Sequence, residues 1–151
     1  MEVAVFHDVL KNVKSRLKNR YNWDDDFTNG AIDEYYRFMV LVSKFPKLTI
    51  VPGKVIDEVW HDHILHTKDY IEFCNKYFGD YLHHSPRDGS DEIINFDETV
   101  NKYLEIFGRL PPRIYWFSPL PPKNTTTMVV NSSSNKISTP ISNNNCTSDC
   151  R

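Results

Sequence analysis

Apolar residues return three and four positions apart through most of residues 3 to 107, and each such run is stopped by a proline, a glycine or a knot of carboxylates. That spacing is the signature of helices with one buried face. The short β-branched run Leu48-Thr49-Ile50-Val51 is closed by Pro52-Gly53 and stands too isolated to build a sheet, so it reads as a loop. In residues 3–20, Phe6, Val9, Leu10, Val13 and Leu17 form the apolar stripe, with Lys11, Lys14, Arg16, Lys18 and Arg20 mostly around the other face. Packing on its own domain is the plainer use of such a helix, an anionic membrane or partner the alternative. Asp24-Asp25-Asp26 suits the positive end of the next helix better than it suits a metal.

That second helix is expected from Thr28 or Asn29 to Phe45, with Ile32, Tyr35, Tyr36, Phe38, Met39 and Val42 inward and Pro46 as its stop. From Lys54 the pattern is helical again. Thr67 is expected to cap a further helix that runs to Phe78 and ends at Gly79. A polar loop, Arg87 to Asn95, precedes a last helix capped by Asp97, which carries Val100, Tyr103, Leu104 and Phe107 and ends at Gly108. Pro111-Pro112 cannot be helical, and Ile114-Tyr115-Trp116-Phe117 is too apolar to hang free, so it should return as a strap over the core. The expected fold is all-α: one domain of about five helices, residues 1–117, followed by a disordered Asn/Ser/Thr/Pro-rich tail, 118–151.

Charge narrows the partners. Residues 1–20 hold five basic and two acidic side chains, whereas residues 21–117 hold ten basic and seventeen acidic. A phosphate backbone is drawn by clustered Lys and Arg, so this acidic body makes nucleic acid a poor partner and leaves an unidentified protein partner open. There is no apolar run near the roughly 18 residues a spanning helix needs. Residues 1–10 carry Glu2, His7 and Asp8 where a secretory signal would be basic and then apolar. The cysteines, at 74, 146 and 150, cannot all pair with one another, and a reducing, cytoplasmic setting is expected. Cys146 and Cys150 lack the second pair a zinc site of that type needs, and the Asn-x-Ser/Thr triplets of the tail read as accidents of its composition.

Chemistry concentrates between Asp57 and His84, which hold five of the six histidines. On a helix, Ile56, Trp60, Ile64 and Thr67 would form the buried stripe, with Asp57 and His61 an i, i+4 pair in which the carboxylate orients the imidazole. His61 and His63, two apart, point roughly 160° away from each other and cannot chelate one ion together. The zincin pattern also fails, because Asp62 follows His61 and Leu65 stands four positions on. A site for Zn²⁺ or another divalent metal must therefore join His61 or His63 to His83 or His84, with Asp57 or Cys74 completing it. The alternative use of these residues is a buried polar network with no ion, and for Cys74 a buried thiol.

Tyr35-Tyr36-Arg37-Phe38, Val51-Pro52, Asp57-x-x-Trp60-His61-x-His63-Ile64-Leu65-x-Thr67-x-x-Tyr70-x-x-Phe73-Cys74 and Phe78-Gly79-x-x-Leu82-x-His84 together resemble the glycine-rich domain-containing protein-like family of bacteria and plants. Thr99-x-x-x-Tyr103-x-x-x-Phe107-Gly108, Pro111-Pro112 and Trp116 extend the resemblance over residues 30–117. It implies a helical domain and favours His84 over His83 as the partner of the helix histidines. Plant relatives add a glycine-rich region and are discussed in stress responses and RNA binding. This chain departs from them, with five glycines in all and Gly53 where relatives tend to place a serine cap. The expected function is a small intracellular helical interaction or regulatory module with a His/Asp polar site, which a divalent metal could occupy. The alternative is a hydrolase whose Zn²⁺, on His61, His84 and Asp57 or Cys74, activates water beside His63 or Asp62.

Overall fold

The N-terminal amphipathic stretch is two helices, α1 (Val3–Val9) and α2 (Lys11–Tyr21), joined at Leu10, whose φ of −95° and ψ of 14° bend the chain while its apolar side chain stays buried. The computed structural model describes residues 3–85 and 90–117, and of 90–94 the backbone alone. The expected tail, with Cys146 and Cys150, and part of the expected polar loop lie outside the described residues.

Helix α3 (Asp25–Lys44) starts earlier than expected because Asp24 caps it, its side chain accepting from Phe27 N at 2.7 Å. Asp25 and Asp26 lie in its first turn, where the helix dipole favours them. After Pro46 the chain runs without regular structure to Gly53. Helices α4 (Lys54–Leu65) and α5 (Thr67–Tyr77) follow. Thr67 is not a cap. The turn residue is His66, whose backbone N–H reaches His63 O at 3.0 Å and whose Nδ1–H donates to the Asp62 carbonyl at 2.8 Å, leaving Thr67 exposed.

The last long helix, α6 (Ser90–Phe107), contains Asp97 instead of starting at it. Polar composition from Ser90 to Asn95 reads as a loop, but the backbone there is already helical, and of the side chains described on α6 Thr99 and Tyr103 are buried. The aromatic strap is a single turn, α7 (Arg113–Trp116), with Trp116 buried and Ile114 and Phe117 exposed. Seven helices are thus described, and no strand, where about five were expected; the additions are the break at Leu10 and the turn of α7. None of these helices is long and apolar enough to cross a membrane.

Helix α4 is the centre of the bundle, touching α2, α3, α5 and α7. It is therefore buried over a wider arc than one stripe. Val55, Val59, Asp62 and His63 are buried with Ile56 and Trp60, whereas Ile64 is half-buried. The C-terminal elements α6 and α7 are tied to α3 by Glu34, buried on α3. Its Oε2 accepts from Tyr103 of α6 (2.8 Å) and Trp116 Nε1 of α7 (2.9 Å), and its Oε1 from Arg37 (2.7 Å) and Arg109 (3.2 Å). A buried carboxylate with this many donors, two of them guanidinium groups, is compensated for its lost hydration.

Candidate functional site: an Asp57–His61–His84 cluster

Helix α4 presents Asp57 and His61 one turn apart on the same side, as their spacing requires. The third member arrives from the segment after α5. Gly79, at a φ of +77°, lets the chain leave that helix in a left-handed turn and double back over α4. There Tyr70 O–H donates to the Leu82 carbonyl at 2.6 Å while accepting from Trp60 Nε1 at 2.9 Å. The indole of Trp60 also lies against the His84 ring, with centroids 4.2 Å apart.

So held, His84 Nε2–H donates to Asp57 Oδ1 at 2.7 Å, and His61 Nε2 stands 3.8 Å from Asp57 Oδ2. The two imidazoles lie nearly parallel, at 4.6 Å and 17°. One ligand atom from each of the three residues falls within 4.8 Å of the others. His61 is 44% exposed, Asp57 33% and His84 13%, so the cluster sits at the protein's edge with one face open to solvent. Beside it is a cavity of about 110 Å³ whose lining includes Ile50, Val51, Pro52 and Trp60 together with Asp57 and His84.

The family model described as UCP032817-like matches residues 5–105, which takes in most of α1, all of α2 to α5, the cluster and most of α6. The chain belongs to this UCP032817-like family. It is also similar to Glycine-rich domain-containing protein 2 of Arabidopsis thaliana, at 29% identity over 131 residues, which cover 77% of this chain and 16% of that protein. The chain thus spans a small part of that relative's length. No solved structure matches the chain.

The other residues singled out from the sequence fall elsewhere in this UCP032817-like domain. His63 points to the opposite side of α4, fully buried, where Tyr35 O–H donates to its Nδ1 at 2.9 Å and Tyr70 and Phe73 pack against its ring. Burial, assisted by the neighbouring His66, pushes its pKa down to about 3, so it is a neutral core imidazole. Its Nε2 has no hydrogen-bond partner among the described residues. Cys74 is buried in the same interior region, beside Tyr70. His83 is exposed and lines the cavity, its ring against Tyr81. Asp62 is fully buried on the side of α2, accepting from Arg16 Nε (3.0 Å) and Arg20 Nη1 (3.3 Å). Neither His63 nor Asp62 therefore faces the cluster.

Sequence reasoning reached Asp57, His61 and His84 but missed what holds them. The Trp60–Tyr70–Leu82 chain had a trace in the sequence, since Trp60 and Tyr70 are polar-tipped aromatics, and a buried indole N–H or phenol needs a partner. The Asp62 pair with Arg16 and Arg20 had no local signal, because its partners lie more than 40 positions away.

Proposed function

We propose that this domain is a helical binding or regulatory module, working in the cytoplasm, that holds one divalent transition-metal ion, Zn²⁺ foremost, on Asp57, His61 and His84. The observation that carries the proposal is the convergence of one carboxylate and two imidazoles, from two separate segments, within 4.8 Å. Zn²⁺ accepts His nitrogen and carboxylate oxygen, and three protein donors leave a further position open. An ion bound at His84 Nε2 would take the place of the hydrogen bond that this nitrogen now makes to Asp57. Elemental analysis and calorimetry with Zn²⁺, Fe²⁺ and Mn²⁺, on untagged protein purified without chelator, test the proposal. One equivalent bound by the wild type and lost in Asp57→Ala, His61→Ala and His84→Ala supports it; no uptake, or equal uptake by all variants, overturns it.

The cavity beside the cluster favours one further reading, metal-assisted hydrolysis by a metal-bound water of lowered pKa. Ester or amide hydrolysis that disappears with chelator and with His84→Ala supports it. A metal-loaded protein without such activity leaves the binding module alone.

A further inference from the structure

The cavity that adjoins the cluster has a composition of its own. One wall is Ile50, Val51 and Pro52, the indole of Trp60 forms another, and Ser85 and His83 stand at its exposed mouth. Asp57 and His84 lie on the same surface, so a group that occupied the cavity would meet any ion held there. Among the described residues that line it there is no Lys or Arg.

We infer that the cavity takes a short-chain monocarboxylate, of acetate to propionate size, as the ligand that completes the metal centre. The inference rests on the metal reading and deepens it. A divalent ion on one carboxylate and two neutral imidazoles carries a net charge of +1, which one monoanion neutralises. Among the described lining residues that ion would be the strongest positive charge, so anion binding should depend on the metal. A phosphate or sulfate would press some of its oxygens against Ile50, Val51, Pro52 and the Trp60 indole, whose side chains offer no free donor, since the Trp60 N–H is given to Tyr70. A carboxylate places its charge on the metal and its short alkyl group against Ile50, Val51 and Pro52. Size sets the upper limit. At about 110 Å³ the space is smaller than the roughly 150 Å³ cavity that accommodates benzene, so it holds about four or five non-hydrogen atoms.

Co²⁺ is the probe, because its visible absorption reports both its own binding and any change in its ligands. The Co²⁺-loaded full chain is titrated with propionate, chloride and octanoate. Expected is a saturable spectral change with propionate, with about tenfold weaker responses to chloride and octanoate. Pro52→Phe, which fills the cavity, should keep the Co²⁺ spectrum and lose the propionate response; Ser85→Trp, at the exposed mouth, should do the same should the proline variant fold poorly. A Co²⁺ spectrum indifferent to propionate overturns the ligand assignment and leaves the metal reading standing. So does an equal response to chloride, or a propionate response that survives both obstructions. Absence of Co²⁺ binding overturns the metal reading itself, and the ligand assignment with it.

Discussion

Tyr70 O–H donates to the Leu82 carbonyl at 2.6 Å, and through that one bond a buried residue of α5 fixes the segment that carries His84. The same oxygen accepts from Trp60 Nε1, whose indole supports the His84 ring. His84 is therefore positioned twice from below, by a backbone anchor two residues before it and by an aromatic platform. Burial drives the Tyr70 pKa above the usual range, so the hydroxyl keeps its proton and remains a donor.

On the proposed metal reading, Tyr70→Phe should accordingly weaken binding at the cluster without removing any of its three side chains. It leaves Trp60 Nε1 and the Leu82 carbonyl without their partner, at a cost of about 1–3 kcal/mol in denaturant unfolding. Zn²⁺ affinity, measured by calorimetry on folded protein, should fall about 10-fold or more, as is usual when support behind a ligand is lost. Lower stability with undiminished affinity would mean that Tyr70 serves the core alone.

Glu34 is the point at which α3, α6 and α7 are held together, and its removal should be felt globally. Glu34→Ala leaves Tyr103, Trp116 and Arg37 facing a space with no acceptor, and an expected loss of about 3–5 kcal/mol follows. Glu34→Gln keeps the shape and an acceptor oxygen but gives up the charge opposite Arg37 and Arg109, so it should cost less. Equal midpoints in urea for wild type and Glu34→Ala would contradict the role given to this carboxylate.

Helix periodicity made most of the fold legible. The apolar stripe read for residues 3–20 is the buried side of α1 and α2, and Ile32, Tyr35, Phe38 and Met39 of α3 are buried as read, although α3, touched by α1, α2, α4 and α6, also buries Glu34 and Leu41. The stripe read for α4 is too narrow, since this helix is covered from several directions and so buries Asp62 and His63 along with Ile56 and Trp60. A stripe analysis assumes one buried face, which a central helix lacks. For the cluster, the i, i+4 relation of Asp57 and His61 was visible in the sequence. The approach of His84 depends on the Gly79 turn and on the Tyr70 anchor, which no local spacing encodes. The start of α6 was misplaced because Asp97 has the chemistry of a cap, and the helix already established before it removes the need for one.

The buried imidazole of His63 makes stability depend on pH. Its pKa falls from 6.5 to about 3 on folding, chiefly through desolvation. Between those values the unfolded chain binds a proton that the folded chain does not, so stability is present above pH 6.5 and is lost as the pH falls towards 3. The slope contributed is at most about 1.4 kcal/mol per pH unit. Urea midpoints across this range should show it. In the double variant His63→Leu/Tyr35→Phe, which removes both partners of the 2.9 Å bond and leaves neither stranded, this part of the slope should vanish. An unchanged slope in the double variant would assign the acid sensitivity to other groups.

Two glycines should respond differently to the same small change. A Cβ at Gly53 would lie 2.4 Å from the Trp116 Cα and 2.5 Å from its carbonyl oxygen, so backbone must move. A Cβ at Gly30 would meet the Tyr115 hydroxyl at 2.0 Å, the far end of a half-buried side chain that can swing outward. Gly53→Ala should therefore push α7 off the start of α4, strain the Trp116–Glu34 hydrogen bond, and cost about 1–3 kcal/mol. Gly30→Ala displaces only the Tyr115 ring and gains up to about 1 kcal/mol of helix propensity within α3, so its net effect should be small. Thermal unfolding followed by circular dichroism checks the order, and the packing assigned to the strap fails should Gly30→Ala prove the more damaging of the two. Because Pro52 lies next to Gly53 and lines the cavity, the shift in Gly53→Ala should also disturb propionate binding in the Co²⁺-loaded protein, whereas Gly30→Ala should leave it unchanged.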